Sequence, residues 1–433
     1  MPIHSFRKHC RLCGSGSPLK VVPLKPVPVG EHYYDNKTAI VDKRYPIDLY
    51  KCEVCGAVQT QDDISSSVLW EGYTYFSGQT KGILKHFQNF VDSCKQRYDL
   101  NPSVRVFDVG SNDGSLLKCF QAEGCLVYGI DPSDVVAHVA QQAGIDTFVG
   151  FFSDETIPQF PEDRQHADII TAFNVFAHSP DMPGMIRGVQ QMLSPDGIFC
   201  FEVQYLGDIV TKKLLGSIFH EHMVHYSLAS AKNFLESYGM KLLDFERNNI
   251  QMGSIIFYSS HKNSHHQPSL EVDKLLRQEE QAGLIKDDWR QEFSQYINRQ
   301  HQQIQAYRQQ WAAHNFSVAG YGAARSGPTL AIQFGLENCL QYVLDDHTSK
   351  CGKYGVFEAI EVRPTRNLYS EKPDVVVILA WIHTKSIVKN NIKYLELGGR
   401  FITLWPEVAE VTISNVDDWY SVFDQVKNFG QAI

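Results

Sequence analysis

The chain has 433 residues, of which 43% are hydrophobic and 21% charged, the composition of a folded globular protein too long for one ordinary core. A net charge of −9 and the lack of any long basic tract exclude a broad nucleic-acid-binding surface. No stretch approaches the roughly 20 apolar residues of a membrane span and no apolar export segment follows the first basic residues, so a cytoplasmic protein without membrane or nucleic-acid partners is expected.

Residues 1–75 are expected to form a zinc-binding module. Cys10-x-x-Cys13 and Cys52-x-x-Cys55 are two matching pairs, 38 residues apart, and each runs into a glycine, Gly14 or Gly56. Four thiolates suit tetrahedral zinc, and a closed set with no water position is structural rather than catalytic. Segments such as 39–41 read as short strands. The connector that follows, 70–78, is rich in tyrosine and includes Tyr75. A helical pattern then begins at Ile83.

Residues 76–262 alternate strand and helix, with strands expected at 104–109, 127–131, 147–149, 168–172 and 197–203. That order predicts a doubly wound parallel sheet, with an antiparallel pair at its edge from 242–245 and 254–258. The first strand ends in Asp108-Val109-Gly110-Ser111-Asn112-Asp113-Gly114, ahead of a helix from Ser115. Gly110 and Gly114 allow a tight turn and close approach to a ligand. Asp131, ending the second strand 21 residues after Gly110, is placed to accept from ribose hydroxyls. The pattern departs from the Gly-x-Gly-x-x-Gly dinucleotide fingerprint and suits a ligand with a cationic amino-acid head, S-adenosylmethionine. Asp108, Gly110, Asn112, Gly114 and Asp131, with Asn174 after the fourth strand, form the expected donor site.

Ligands in open α/β sheets sit beyond the carboxyl ends of the strands, which directs attention to His178 and to Phe219-His220-Glu221-His222-Met223-Val224-His225. Val224 breaks the His-Glu-x-x-His spacing of zinc proteases, so a second metal is not expected; the bland alternative is a polar loop with solvent-facing histidines. Residues 263–315 read as a linker helix. Its apolar positions Trp289, Phe293, Tyr296, Ile297, Ile304, Tyr307 and Trp311 make a packing stripe. From 316 to 433 a second Rossmann-like unit follows, with the loop Gly320-Tyr321-Gly322-Ala323-Ala324-Arg325-Ser326. Alone it resembles a nicotinamide-binding loop, so an NAD(P)-dependent oxidoreductase or a bifunctional enzyme is the alternative; a scaffold loop closing one wall of a cleft is the other reading.

In order, these features resemble the three-domain sugar-nucleotide C-methyltransferases: a four-cysteine zinc module, a methyltransferase core, Tyr205-Leu206-Gly207-Asp208-Ile209, Glu221-His222, and Gly320-Tyr321-Gly322-Ala323. The resemblance implies an α/β protein with an N-terminal zinc-binding module, a central Rossmann-like methyltransferase domain and a C-terminal Rossmann-like domain. It further implies S-adenosylmethionine and structural zinc as cofactors, a nucleotide-diphosphate sugar as substrate and methylation at C3 of a 4-keto-deoxyhexose. A monomer or weak homo-oligomer is expected. By motif, Glu221 and His222 match the family's Glu-His pair, His178 a histidine after strand four, and Tyr75 the second tyrosine of a Tyr-x-Tyr segment. The chain departs from the family at Phe219, where a tyrosine occurs, at Gln251-Met252-Gly253, where His-Gly-Gly is usual, and at Arg325-Ser326, where the loop continues to a lysine. The last ~25 residues read as an extension. His222 is the expected base, Glu221 fixes its tautomer or binds a sugar hydroxyl, and His178 and Tyr75 bind the C4 oxygen. Tyr321 and Arg325 are expected to face the nucleotide diphosphate.

Overall fold

The computed structural model describes residues 3–69, 76–79, 82–286 and 289–429, so Tyr75 lies outside the described residues. The central sheet forms from the apolar runs noted above. Strands β1 (Arg105–Val109), β2 (Leu126–Asp131), β3 (Asp146–Val149), β4 (Ala167–Phe173) and β5 (Leu193–Gln204) pair in parallel. At the edge, β6 (Met240–Asn248) and β7 (Ser254–His261) complete the order β3-β2-β1-β4-β5-β7-β6, with β7 antiparallel to both neighbours. Val106, Phe107 and Val109 are all buried, as a strand covered on both faces requires. Strand order reverses between β1 and β4, which opens a crevice at their carboxyl ends.

The N-terminal module is held at its cysteines. The two knuckles have the same geometry: the Gly14 amide donates to the Cys10 carbonyl (3.1 Å) and the Gly56 amide to the Cys52 carbonyl (2.9 Å). All four sulfurs lie within 4.8 Å of one another, with Cys10–Cys55 and Cys13–Cys52 each 3.6 Å apart. Sulfurs around zinc at ~2.3 Å bonds are about 3.8 Å apart, so the set fits the ion. Gln59 donates to the Cys10 sulfur at 3.2 Å, supporting it from outside. Segment 39–41 is not a strand: Asn36 caps a short 3-10 turn, Lys37–Ala39, by accepting from the Thr38 amide. The asparagine offers the backbone a local partner before any strand is available.

One sheet joins this module to the central domain. Its order is Val224–His225, Val58–Gln59, Leu49–Lys51, Leu19–Val22, and the first of these strands comes from the segment after β5. Arg11, buried between the zinc ligands, donates to the Thr60 carbonyl (2.7 Å) and reaches the Met223 sulfur (3.6 Å).

The expected linker helix is two helices with different partners. Leu270–Gln281 buries Val272 and Leu275 against the central domain. Trp289–His314 lays its aromatic stripe on the C-terminal unit. There β8 (Val318–Tyr321), β9 (Val343–Asp345), β10 (Val362–Pro364), β11 (Val375–Ile378) and β12 (Arg400–Thr403) are parallel, β13 (Ala409–Val411) is antiparallel, and the order is β10-β9-β8-β11-β12-β13. The terminal stretch is part of this core rather than an appendage: helix Val416–Phe429 buries Val416, Trp419 and Phe423, and Phe423 meets Trp405 at 5.2 Å between ring centroids. Among the described residues no helix is long and apolar enough to cross a membrane.

Since the Cys52-x-x-Cys55 knuckle connects two strands of the sheet that takes in Val224–His225, Cys52→Ser should lower zinc content and stability together, by roughly 2 kcal/mol or more and on the order of 5 °C in melting temperature. Metal analysis beside calorimetry tests this; a zinc-free variant with unchanged melting would leave the module another source of order.

Candidate active site

The turn after β1 is shaped for a ligand. Gly110 adopts φ 70°, and a Cβ there would lie 2.4 Å from a Val175 methyl, so only glycine lets the turn pass this close to the loop after β4. The Asn112 amide donates to Asp131 Oδ2 (2.9 Å) and the Ser133 amide to Oδ1 (2.9 Å), which fixes the carboxylate at the end of β2. Asp108 accepts from the Thr171 hydroxyl at 2.6 Å. Burial pushes Asp108 up to about 7, and raises Asp131 against its two amide bonds. Among the described residues no cation acts on either carboxylate, an arrangement that suits a positively charged ligand. Asn112 and Asp113 accept from the Ser77 and Gly78 amides (2.9 and 2.8 Å), drawing the end of the tyrosine-rich connector onto the loop. Gly114, at φ 75°, starts helix Ser115–Ala122.

Beside this loop a small recess is lined by Asn174, Ala177, His178, Val203, Gln204, His222, Val224 and His225. The histidines of 220–225 are not solvent-facing: His220, His222 and His225 are 4%, 8% and 2% exposed. His178 stacks on His222 with centroids 4.9 Å apart, and Phe219 lies 3.9 Å from His222 on centroids. The tautomer of His222 follows from one contact. Its Nδ1 is 2.7 Å from the Ser217 carbonyl, which can only accept, so Nδ1 carries the proton and Nε2 holds a lone pair. Burial is the main cause that lowers His222 to about 4 and His225 to about 3, and it holds His178 well below the ordinary imidazole value, with His222 and Arg325 adding to it. All three rings are therefore neutral near pH 7.

Glu221 does not fix that tautomer. Its carboxylate, 2% exposed, accepts from Arg325 Nη1 at 2.8 Å. Arg325 also donates through Nε and Nη2 to Glu31 (3.1 and 2.9 Å), and Lys350 Nζ binds the other Glu31 oxygen at 3.0 Å. Burial raises Glu221 against the pull of Arg325. It would raise Glu31 too, but Arg325 and Lys350 outweigh it and lower that carboxyl. Arg325, half-buried in the turn before helix Gly327–Phe334, thus joins all three parts of the chain. Tyr321 is not brought to the recess: its ring is buried in the C-terminal core, with its hydroxyl toward Asn391. Over the C-terminal glycine loop lies the strand Tyr33–Tyr34, with the Tyr33 hydroxyl donating to the Ala323 carbonyl at 2.6 Å.

The structure therefore gathers His178, His222 and Asn174 around one recess, with Gly110 against Val175 next to it, and sets Glu221 and Arg325 together at an ion-paired junction. The Tyr-Leu-Gly-Asp-Ile run is structural: the Tyr205 hydroxyl donates to buried Glu279 (2.8 Å), which also caps helix Leu228–Ser237, and Asp208 pairs with Lys212 and Arg247. Ser217, Gln204, Glu31 and Lys350 escape a reading by motif. A backbone carbonyl leaves no trace in side-chain identity, and Glu31 lies 294 residues from the arginine it meets.

Comparison with known proteins divides the chain in the same sequence of parts. Family models match a zinc binding domain at residues 10–70, a methyltransferase domain at 83–244 and a C-methyltransferase C-terminal domain at 249–406. The C-methyltransferase NovU of Streptomyces niveus is 30% identical over 400 residues, 92% of this chain and 95% of that protein. A ubiquinone biosynthesis O-methyltransferase of Marinobacter nauticus is 32% identical over 113 residues, 25% of this chain and 46% of its own length. Among solved structures, the magnesium protoporphyrin IX methyltransferase of Synechocystis PCC 6803 with bound SAM is 18% identical, covers 44% of this chain and 88% of its own, and has a TM-score of 0.32. The chain therefore belongs to the S-adenosylmethionine-dependent C-methyltransferases that carry an N-terminal zinc-binding domain and a C-terminal domain of their own.

Proposed function

We propose that the methyl acceptor is C3 of a nucleotide-diphosphate-linked 4-keto-deoxyhexose, methylated through an enolate in branched deoxysugar biosynthesis. A carbon next to a ketone loses a proton because the resulting charge delocalises onto oxygen, and C-methylation needs such a carbon nucleophile. The observation that carries the reading is the state of His222: neutral, buried, with Nδ1 engaged and Nε2 held as a lone pair beside the donor loop. A positioned base is worth about 10²–10⁴ in rate. Protonating a buried imidazole is costly, but the enolate formed in the same step supplies the opposite charge next to it. His178, neutral and stacked on His222, can donate to the C4 oxygen as charge develops there. When bound, S-adenosylmethionine supplies the electrophilic methyl group; Asp131 would hold its ribose, and Asp108 and Asn112 would line its site. Asn174, on the loop after β4, lines the recess and would border the donor.

In this reading residues 1–75 order the base's loop, 76–262 bind the donor, 263–315 connect, and 316–433 close over the sugar nucleotide. Arg325 would reach the diphosphate by exchanging a carboxylate for a phosphate oxygen, since Glu31 and Glu221 already hold it. Tyr75 remains a candidate ligand of the C4 oxygen.

Asp131→Ala should weaken S-adenosylmethionine binding by roughly 1.5–3 kcal/mol, the scale of a hydrogen bond to a charged group, with no matching affinity for NAD(P) in the intact protein. Titration calorimetry reads both; unchanged donor affinity would move the ribose contact elsewhere.

If His222 is the base, His222→Asn should keep donor and sugar-nucleotide binding while losing methyl transfer and donor-independent exchange of the C3 hydrogen with deuterated water. His178→Asn should slow both without abolishing them. Mass spectrometry of the recovered sugar nucleotide reads the exchange. Wild-type exchange in the His222 variant would transfer the role to another group, and exchange at C5, the other carbon beside the ketone, would move the methylated position across the carbonyl.

The pH profile has a definite sign. A base held at about 4 stays competent down to that value and loses activity only as pH falls through it, so kcat/KM should stay flat from about pH 8 to 5.5, without the limb near 6.5 of an ordinary histidine. Stability follows the same direction: below about 6.5 the unfolded chain takes up protons that the buried rings refuse, so folding weakens as pH falls. Circular dichroism at each pH separates the two effects, and an activity limb near 6.5 with intact folding would contradict the assignment.

A further inference from the structure

We propose that Gln204, with His225 beside it, reads a ring hydroxyl of the methyl acceptor. This rests on the sugar reading above and adds a specificity determinant to it.

Gln204 ends β5 and His225 ends the short strand Val224–His225, so both backbones are pinned by sheet pairing, to Ser254 and to Val58 respectively. Both side chains line the recess that holds His178 and His222. The orientation of the Gln204 amide follows from its neighbours. Its Nε2 donates to the Ser217 hydroxyl (3.0 Å) and toward the Gln251 carbonyl (3.4 Å); the carbonyl can only accept, so the nitrogen must be on that side. Oε1 is thereby left on the other side, fully buried, and among the described residues it has no hydrogen-bond partner. His225 Nε2 is in the same state, on a residue 2% exposed.

Two polar atoms buried without partners at the wall of one recess are a cost that folding alone does not require. Neither is part of the base's own support, since the Ser217 carbonyl serves His222 and the Gln204 amide nitrogen serves the Ser217 side chain. The chemistry of the missing partner is constrained. Oε1 only accepts, so the ligand must present a donor. A neutral imidazole nitrogen accepts or donates according to tautomer, and a hydroxyl can meet either need while donating to Oε1. A bare methylene at the same place would leave both atoms unpaired, and sites built to bond a hydroxyl reject analogues lacking it for that reason.

The test compares two acceptors, a nucleotide-linked 4-keto-6-deoxyhexose and its 2-deoxy counterpart, with S-adenosylmethionine saturating. The intact enzyme should favour the hydroxylated sugar in kcat/KM by about tenfold or more. Gln204→Met, close in shape, and His225→Phe should each lower that ratio toward one, mainly by losing activity on the hydroxylated sugar. A merely structural role would lower both sugars alike and leave the ratio unchanged, which overturns the inference. An intact enzyme that uses both sugars equally also overturns it, leaving water as the partner of these atoms. An intact enzyme that methylates neither sugar overturns the acceptor reading, and this inference with it.

Discussion

The antiparallel pairing of Val224–His225 with Val58–Gln59 is the constraint on which the site depends. Segment 219–226 has little regular structure of its own, and a short loop of this kind would sample many conformations at a cost of about 1–2 kcal/mol per residue to order. The zinc module supplies that order from outside. Its sheet takes the segment as an edge strand, the Thr60 amide donates to the Met223 carbonyl (3.0 Å), and the Met223 amide donates to the Ala177 carbonyl (3.0 Å). The metal knuckles therefore stand one sheet away from His222, and His178 is tied to the same frame through its neighbour Ala177. The four-cysteine module thus holds this loop still from one sheet away.

Within that frame, burial decides the state of each ionisable group. The recess keeps its imidazoles neutral, which preserves a lone pair on His222 and places no fixed positive charge beside the glycine turn after β1. The carboxylates divide by partner. Asp108 and Asp131 lie without cations beside the donor loop, whereas Glu221 and Glu31 are gathered on Arg325 and Lys350. The first pair suits a positively charged ligand, and the second balances a cationic centre at the junction of the three parts of the chain.

The C-terminal unit has the strand-glycine-helix geometry of a nucleotide-binding domain, but its loop is used from the N-terminal side. Tyr33 spans it, Asp345 accepts from the Ala323 amide at 2.7 Å, and Gly30 lies so close to the Arg325 backbone that a Cβ would meet the carbonyl oxygen at 2.5 Å. The loop is therefore a joint between the first and last parts of the chain.

Periodic and local features were legible from the amino-acid sequence alone. The five parallel strands, the antiparallel edge pair, the two cysteine knuckles and the glycine turn after β1 all arise from short-range patterns: apolar runs, glycines where φ is positive, and thiol spacing. The family followed from the order of these features. What only the tertiary structure decided are the contacts between residues far apart in the chain. Motif matching paired Glu221 with His222 because they are adjacent, yet the fold turns Glu221 to Arg325 and gives His222 its proton position through the Ser217 carbonyl. The histidines of 220–225 read as polar by composition, and only the sheet laid over them makes them buried and neutral. Spacing could not disclose these arrangements, because burial and long-range pairing are set by the packing of three units on one another and not by any single stretch.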